Sequence, residues 1–456
     1  MKTIIPAAEL VTRILGNQKK REDTTYRLLS FCVLCPIDDG VLLYNTMTLE
    51  LLLLSSEESD RLTELEDLIS KWFLVPEEQN DHLLADQLRE IADHVQNPVE
   101  HITSYTIFTT TDCNARCYYC FEQGCIRKNM NIETADRLVQ YIIEHSGGEK
   151  VSLHWFGGEP LVNQEVIDVI CRGLTEAGVV YRSDMTSNGY LFDETTVEKA
   201  MTFWKLNKIQ ITLDGTEEVY NRTKAYVYAE GNPFRRVMDN IELLLESNIR
   251  VSIRLNVGED NWRDLLLLAD QLSKRFGDRK GVFVYASPLL DQVKSETKEP
   301  AWTRTHSESL MEKYRKVRDR LTELKLYKSR HLERAFRVTH CMADNDGAVT
   351  VLPDGSLGCC EHFTEDEIFG HINSPERDDA VIAGWKEHAP KGLECSGCIY
   401  YPRCFRLKKC PSGRACTPSD REETEKQLRS QMLNEYRIYT KQQTATYEDD
   451  LTPENC

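Results

Sequence analysis

The stretch that decides the fold is SYTIFTTTDCNARCYYC, residues 104–120. Ser104 to Thr110 are β-branched or aromatic at nearly every position, the composition of a strand. Directly after it come Cys113, Cys117 and Cys120, a C-x3-C-x2-C spacing on one short loop. Three thiolates so placed suit three irons of a 4Fe–4S cube, and no fourth cysteine of the motif takes the last iron. A cluster that only carries electrons ordinarily has four Cys ligands, so an open iron is a place for a substrate or cofactor. The location agrees, because parallel α/β sheets put their active sites at the carboxyl ends of strands. The competing reading is structural zinc, which wants four closed ligands; Cys125 would then have to be the fourth.

Working outward, five further apolar or alternating runs follow SYTIFTT. They are VSLHWF, VVYRSDMT, KIQITL, RVSIRLNV and GVFVYA, beginning near residues 151, 179, 208, 250 and 281. Helical patterns lie between them, among them ETADRLVQYIIEH and NPFRRVMDNIELLLES. Repeated βα units of this length predict a parallel sheet covered by helices. Six units are too few for a closed eight-fold barrel. The expected fold is α/β, an open partial barrel or a doubly wound sheet.

Here the sequence resembles the radical S-adenosylmethionine (SAM) enzymes, for which C-x3-C-x2-C after the first strand is the defining motif. The chain carries three more segments of that pattern. Gly157-Gly158-Glu159-Pro160 closes the second strand, Thr186-Ser187-Asn188-Gly189 the third, and Thr212-Leu213-Asp214-Gly215 the fourth. The resemblance implies that the backbone of Gly157, Gly158, Glu159 and Pro160 binds the methionine amino group of SAM. It implies that Ser187, Asn188, Thr212 and Asp214 contact its ribose and methionine, and that Tyr119 touches adenine. Two glycines also let a backbone approach a ligand closely. Tyr220-Asn221 stands where many relatives have His-Asp. The fold implied is a partial (β/α)6 TIM-like barrel.

A second cysteine constellation begins at Cys341. Cys341, Gly355 and Cys360 follow C-x13-G-x4-C; Cys395, Cys398 and Cys404 follow C-x2-C-x5-C; Cys410 and Cys416 come after. This resembles the SPASM domain of radical SAM peptide-modifying enzymes, although C-x5-C replaces the expected C-x3-C between Cys404 and Cys410. The resemblance implies two auxiliary 4Fe–4S clusters and three clusters in all. Cys395, Cys398, Cys404 and Cys416 would ligate the outer one fully. Cys341, Cys360 and Cys410 would hold the inner one, with Cys359, another residue or a substrate thiol as fourth ligand. Residues 395–416 hold Arg403, Arg406, Lys408, Lys409 and Arg414 and no acid. Such a loop would compensate an anionic cube and raise its potential; a zinc ribbon is the alternative. The segment has turn signals and little periodicity, so metal is expected to hold it in place of a core.

Ahead of the first cluster motif, residues 26–54 read as three strands. SSEE at 55–58 opens a helical pattern to Trp72, and another runs from Asp81 to Val95. LLYNTMTLELLLLSSEE with FLVPEEQND resembles the winged-helix-like leader-recognition domain of peptide maturases. That resemblance implies a precursor peptide whose leader adds a strand to an exposed sheet edge; a generic α+β cap is the plainer reading. Asn97-Pro98 marks a boundary. The expected domains are 1–98 for leader recognition, 99–302 for the barrel, 303–340 for a charged helical bridge and 341–456 for the SPASM domain and tail.

Composition bounds the rest. The chain has 456 residues, 16 cysteines and a formal charge of −18. Residues 51–100 carry 13 Asp/Glu against 3 Lys/Arg, which disfavours nucleic acid and fits a basic peptide partner or simply a solvated acidic surface. The chain has no run of 18 apolar residues, so no membrane span is expected. The N-terminus does not read as a signal peptide, so a cytoplasmic, thiol-reducing location is expected. Cys32 and Cys35 lie three apart in a strand, which sends them to opposite faces. Cys171 sits on an apolar helix face, Cys125 is undecided, and Cys456 ends a polar tail. The function implied is generation of a 5′-deoxyadenosyl radical that modifies a ribosomally made, Cys-containing precursor peptide, most simply by a thioether crosslink. A flavodoxin- or ferredoxin-type reductant is expected. A formylglycine-generating sulfatase maturase is the alternative enzyme, and a multi-cluster electron-transfer or scaffold protein the alternative of another class. No residue stands out as an acid or base.

Overall fold

The computed structural model describes residues 1–450 apart from 97–98, 123, 228–229, 290–305, 328–330, 340, 363–366, 393–394, 405, 411–412 and 414, with backbone alone for 444–450. The Asn97-Pro98 boundary, the boundary at 302–303, Arg414 and Cys456 lie outside the described residues.

The N-terminal unit contains β1 (Lys2–Ile5), α1 (Glu9–Leu15), β2 (Tyr26–Leu28), β3 (Cys32–Ile37), β4 (Gly40–Asn45), β5 (Glu50–Leu54), α2 (Ser56–Asp60), α3 (Glu66–Ser70), β6 (Leu74–Pro76) and α4 (Asp81–Gln96). Over residues 26–54 the sequence predicts three strands and the structure has four, β2 to β5; β1 and β6 lie outside that span. β1-β5-β4-β3 form an antiparallel sheet and β2-β6 a separate pair. YRLLSFCVLC divides because the chain turns between Leu28 and Cys32, sending β2 to β6 and β3 to β4. The helix expected to run from 55 to 72 also divides. Ser55 and Glu58 form a capping box that starts α2, and the chain re-enters α3 through a short 3-10 turn at Leu62–Glu64.

An ion pair to a buried carboxylate joins β2 to α4. Arg27 donates to both carboxylate oxygens of Asp81 at 2.9 and 3.0 Å, and the Ser30 amide donates at 2.9 Å. Burial pushes the Asp81 carboxyl up; the hydrogen bonds from Arg27 and Ser30 outweigh it and hold the group below the usual carboxylate range. A depressed folded value means the stabilisation is fully present above the unfolded value, near pH 4, and is lost as pH falls through the folded one. Arg27 is partly solvated, so Asp81→Asn is expected to cost about 1–2 kcal/mol at neutral pH and to flatten the acid limb of stability. Urea midpoints between pH 3 and 7 check this; an unchanged acid limb counts against it.

Six parallel strands follow: β7 (Ser104–Thr110), β8 (Val151–Gly157), β9 (Tyr181–Ser187), β10 (Leu206–Leu213), β11 (Arg250–Val257) and β12 (Val282–Pro288). Between them run α5 (Ile132–His145), α6 (Gln164–Glu176), α7 (Glu194–Thr202), α8 (Glu217–Lys224), α9 (Pro233–Glu246) and α10 (Trp262–Phe276). Asn131, Asp193 and Asn232 accept from the first-turn amides of α5, α7 and α9. Each strand pairs with its predecessor in the chain, with no reversal of order. That is barrel winding; a doubly wound sheet would switch direction partway. Along β8, Val151, Leu153 and Trp155 are buried in the core shared with α5 and α6. Ser152, His154 and Phe156 alternate to the other face, the barrel interior.

The sheet continues past β7. Ala348–Val351 (β13) pairs parallel with β7, Ala348 opposite Ser104, and β14 (Ser356–Gly358) and β15 (Gly370–His371) follow antiparallel. Nine strands form one open sheet ending at β12 and β15. This corrects the expectation that the Cys-rich segment has no core. Val349, Val351, Leu357, Phe369, Ile372, Ile382 and Leu407 belong to the same apolar cluster as the barrel, and Trp385 of α12 (Asp379–Lys386) joins them. Helix α11 (Glu308–Glu323) lies against β12 and β11, and the Val284 amide on β12 donates to Leu326 O at 3.3 Å.

The last helix, α13 (Pro418–Asp450), returns to the N-terminal unit. Leu428 and Met432 pack with Phe31, Val33, Tyr44, Phe336 and Tyr401 in one cluster. Arg429 donates to Leu34 O on β3, and β1 covers the free side of β5. Among the described residues no helix is long and apolar enough to cross a membrane.

Candidate functional site

The loop holding Cys113, Cys117 and Cys120 is pinned at both ends. Thr110 Oγ1 accepts from the Asp112 amide at 2.8 Å, and the Thr111 amide donates to Lys128 O at 2.9 Å. The three thiols lie within electrostatic range of one another. Burial, then Glu159, Cys117 and Cys120, push the Cys113 thiol up to about 12; burial with Glu122 and Cys117 pushes Cys120 up to about 11. Thiols that oppose each other's ionisation are poor nucleophiles and suit a cationic group that would replace their protons.

Gly157 and Gly158 bring strand β8 against the start of this loop. Their amide neighbours close it: Gly158 N donates to Thr110 O at 3.1 Å and Glu159 N to Asp112 O at 2.9 Å. A Cβ on Gly157 would fall on Thr110 O, and one on Gly158 on Asp112 O; Gly157 also holds φ +115°. The close approach these glycines permit is therefore to the protein's own backbone. Gly157→Ala is expected to cost about 2–3 kcal/mol and to loosen the cysteine loop, read as a lower urea midpoint with lower iron uptake. Unchanged midpoint and uptake would show that the loop tolerates the shift.

Glu159 is fully buried. It accepts from Ser187 Oγ at 2.9 Å, the Asn188 amide at 2.8 Å and the Leu161 amide at 3.2 Å, yet burial pushes its carboxyl up to about 7. Pro160 O accepts from Thr109 at 3.0 Å. Asn188 Nδ2 donates to Asn114 Oδ1 at 2.6 Å, so the third-strand segment is tied to the cysteine loop through Asn114.

On the opposite flank, Tyr119 OH donates to Asp214 at 2.8 Å. Lys224 Nζ lies 3.1 Å from Asp214 Oδ2 and 3.2 Å from Tyr119 OH, with the Lys and Asp side chains 4% and 1% exposed. Burial works against the Lys224 charge; Asp214, Cys117 and Tyr119 outweigh it and hold the ammonium protonated. The Lys224 carbonyl accepts from the Arg116 amide at 2.8 Å, and Val227 N donates to Asn114 O at 2.8 Å. Residues 224–227 thus strap the loop. The sequence reading missed Lys224, whose partner lies on an earlier element; a basic residue closing α8 was the only cue. Tyr220-Asn221 points elsewhere: Tyr220 is buried against Tyr226 at 2.9 Å, and Asn221 accepts from Phe234 N at 3.0 Å. Thr212 faces the interior opposite Arg254.

Among the described residues, four buried polar atoms around this loop and interior lack a partner: Asn114 Nδ2, Glu122 Oε1, Arg254 Nε and Asn256 Oδ1. Orphaned donors and acceptors are costly unless something meets them. Asn114 and Asn256, beside Asn188 and Asp214, suit a ligand carrying both donors and acceptors, as an amino acid joined to a nucleoside does. The interior adds polar groups that the sequence did not flag. His154 bonds Asp184 and, at 3.2 Å, Thr186; Tyr285 OH donates to Gln210 at 2.6 Å. Phe121, next to Cys120, stacks toward Phe156 and meets His362 at 4.1 Å.

The later cysteines fall into two neighbourhoods. Cys360 is pushed up by burial, Glu361, Cys341 and Cys410, and Cys341 by burial, Asp344 and Cys410. Cys398 is pushed up by burial, Cys404, Cys416 and Cys395; burial pushes Cys416 up against the lowering charge of Arg406, with Cys404, Asp420 and Cys395 also raising it. Cys359 faces the barrel-side core, its thiol pushed up to about 11 by burial against the lowering charges of Arg377, Lys386 and Lys409. Cys125 is exposed, Cys171 buried in α6, and Cys32 and Cys35 lie on β3. The expected basic halo is partly neutralised: Arg403 pairs with Glu333 at 2.7 Å, Lys408 with Glu387 at 2.7 Å and Lys409 with Glu367 at 3.4 Å. Among the described residues no three His, Cys, Asp or Glu side chains converge on a point that would hold a single metal ion. A cube asks for a different arrangement, one thiolate at each of several separated irons.

The family model described as the Radical SAM superfamily matches residues 107–272. The chain is 30% identical over 165 residues to a GTP 3',8-cyclase of Clostridium perfringens, 35% of this chain and 48% of that protein. It is 24% identical over 178 residues to a probable GTP 3',8-cyclase of Pyrococcus abyssi, 38% and 54%. The chain thus spans about half the length of the curated relatives it matches. Among solved structures, native anSMEcpe with bound AdoMet and Kp18Cys peptide aligns with a TM-score of 0.53 at 16% identity, over 74% of this chain and 99% of that one. Streptococcus suis SuiB aligns at 0.50 and 15%, over 88% and 99%. At such identities the likeness is one of fold. Residues 107–272 are a radical SAM domain, and the chain that carries them is an enzyme.

Proposed function

We propose that this enzyme modifies a ribosomally made, Cys-containing peptide, forming a thioether crosslink. The observation that carries the reading is the grouping of ten cysteines into neighbourhoods of three, three and four. Two auxiliary cysteine sets beyond the SAM site serve no evident purpose in a single-cluster reaction. Cys113, Cys117 and Cys120 would hold a 4Fe–4S cluster that, with SAM, supplies a 5′-deoxyadenosyl radical able to remove a hydrogen atom from substrate. The protein's part is to bind, orient and exclude water. Glu159 with Ser187 and Asn188 fixes one wall of the SAM site, Tyr119, Asp214 and Lys224 the other, and Thr212 faces the interior between them. Cys395, Cys398, Cys404 and Cys416 would fill every position of an outer cluster. Cys341, Cys360 and Cys410 would leave one position of an inner cluster for a peptide thiol. The N-terminal sheet would receive the peptide's leader as an added strand.

The test is a reaction of the anaerobically reconstituted chain, with reductant and SAM, on Cys-containing peptides encoded beside it, followed by mass spectrometry. Loss of two hydrogens per crosslink is the expected result. Turnover of GTP with no change in any peptide would favour the chemistry of the cyclase relatives; a Cys converted to formylglycine would favour the sulfatase-maturase reaction.

A further inference from the structure

The outer cysteine set is built on the N-terminal unit. Tyr401 lies between Cys398 and Cys404 in the chain; its amide donates to Cys398 O at 3.0 Å, and its carbonyl accepts from Cys404 N at 3.4 Å. The Tyr401 ring stacks on Phe31 with centroids 5.9 Å apart and meets the edge of His82 at 4.3 Å. Its hydroxyl donates to Asp86 of α4 at 2.8 Å, and Lys391 bonds the other Asp86 oxygen at 2.8 Å. Thr46 donates to Ile399 O. Cys395 and Cys398 pack against the N-terminal core. The loop therefore takes its shape from α4 and the antiparallel sheet.

One turn along α4 from Asp86 stands Arg89, half-buried, 3.3 Å from His388 Nδ1 and within electrostatic range of Cys404. It lines a cavity of about 360 Å³ with Asp86, Asp93, Asp344, Lys386 and His388. Asp344 in turn accepts from the Cys341 amide at 2.9 Å, so this cavity lies between the two auxiliary sets. Arg403, Lys408 and Lys409 are each paired with a glutamate, and Arg406 acts on a different member of the set, Cys416.

We propose that the N-terminal unit is a structural wall of the outer cysteine site and that Arg89 contributes, from that wall, positive charge that tunes the reduction potential of the iron–sulfur group there. This rests on the reading of Cys395, Cys398, Cys404 and Cys416 as cluster ligands. A cation beside an anionic cube favours its reduced form, and hydrogen bonds and charges next to a cluster tune its potential. The consequence is a physical link between whatever binds the N-terminal unit and the redox state of the outer cluster.

The experiment uses the full chain, reconstituted anaerobically, with iron and sulfide counted and each cluster's reduction followed by electron paramagnetic resonance against applied potential. Arg89→Gln is expected to keep the full iron content and to shift one auxiliary signal about tenfold toward the oxidised form, about 59 mV downward for one electron, leaving the other signals in place. Arg89→Lys should restore it. Asp86→Asn, which removes an anion from the same helix face, should shift that signal upward, and it carries the test if Arg89→Gln does not fold. Full iron with unshifted potentials in both variants overturns the role of Arg89 and leaves the ligand reading standing. Full iron after Cys395 and Cys398 are both changed to Ala overturns the ligand reading itself.

Discussion

Lys224→Met is expected to destabilise the protein by about 3–5 kcal/mol, the cost of leaving one member of a buried ion pair without its partner. Asp214 would keep Tyr119 OH at 2.8 Å and Asn256 Nδ2 at 3.3 Å but lose the ammonium at 3.1 Å. A carboxylate 1% exposed has no water to turn to. Removing both charges is milder, because the burial penalty goes with them, so the Lys224→Met, Asp214→Asn double variant should recover part of the loss. Urea unfolding of the metal-free chain measures both. A single variant no less stable than the double would mean the pair is not the anchor proposed. Cys117 also loses a neighbouring cation, so the single variant is expected to take up iron more slowly at its first site.

Changing Cys113, Cys117 and Cys120 together to Ala is expected to abolish SAM cleavage and to remove about four of about twelve irons. The auxiliary sets stand on other elements: Cys341 precedes a short helical turn, and Cys395 to Cys416 surround the Tyr401 loop. They should therefore load in the triple variant. Loss of all iron would mean that the sites assemble together; loss of none would mean that the trio holds no iron.

The barrel was readable because each of its strands is a short apolar run followed by a helical period, and the six runs match β7 to β12 within a few residues. Their winding was not, since local pattern carries no strand order; the pairing of each strand with its predecessor decided it. The cysteine loop was readable from spacing alone. What escaped notice depended on partners distant in sequence. Lys224 gains its meaning from Asp214 and the Arg116 amide. The basic residues of 403–409 looked unopposed because Glu333, Glu367 and Glu387 lie in other segments. Ala348–Val351 is four residues long, too brief for periodicity to reveal that it extends the barrel sheet beside β7. Lys2–Ile5 hid in the same way, and its pairing with β5 means that an added peptide strand would meet β1 or displace it.

The central claim is that the loop after β7, with Glu159, Asn188, Asp214 and Lys224 around it, cleaves SAM. The most direct measurement is 5′-deoxyadenosine formed by the anaerobically reconstituted chain with SAM and dithionite. The account predicts that it forms, and that it disappears when Cys113, Cys117 and Cys120 are replaced. A chain with its first cluster intact by spectroscopy that yields no 5′-deoxyadenosine, with or without peptide, would contradict it.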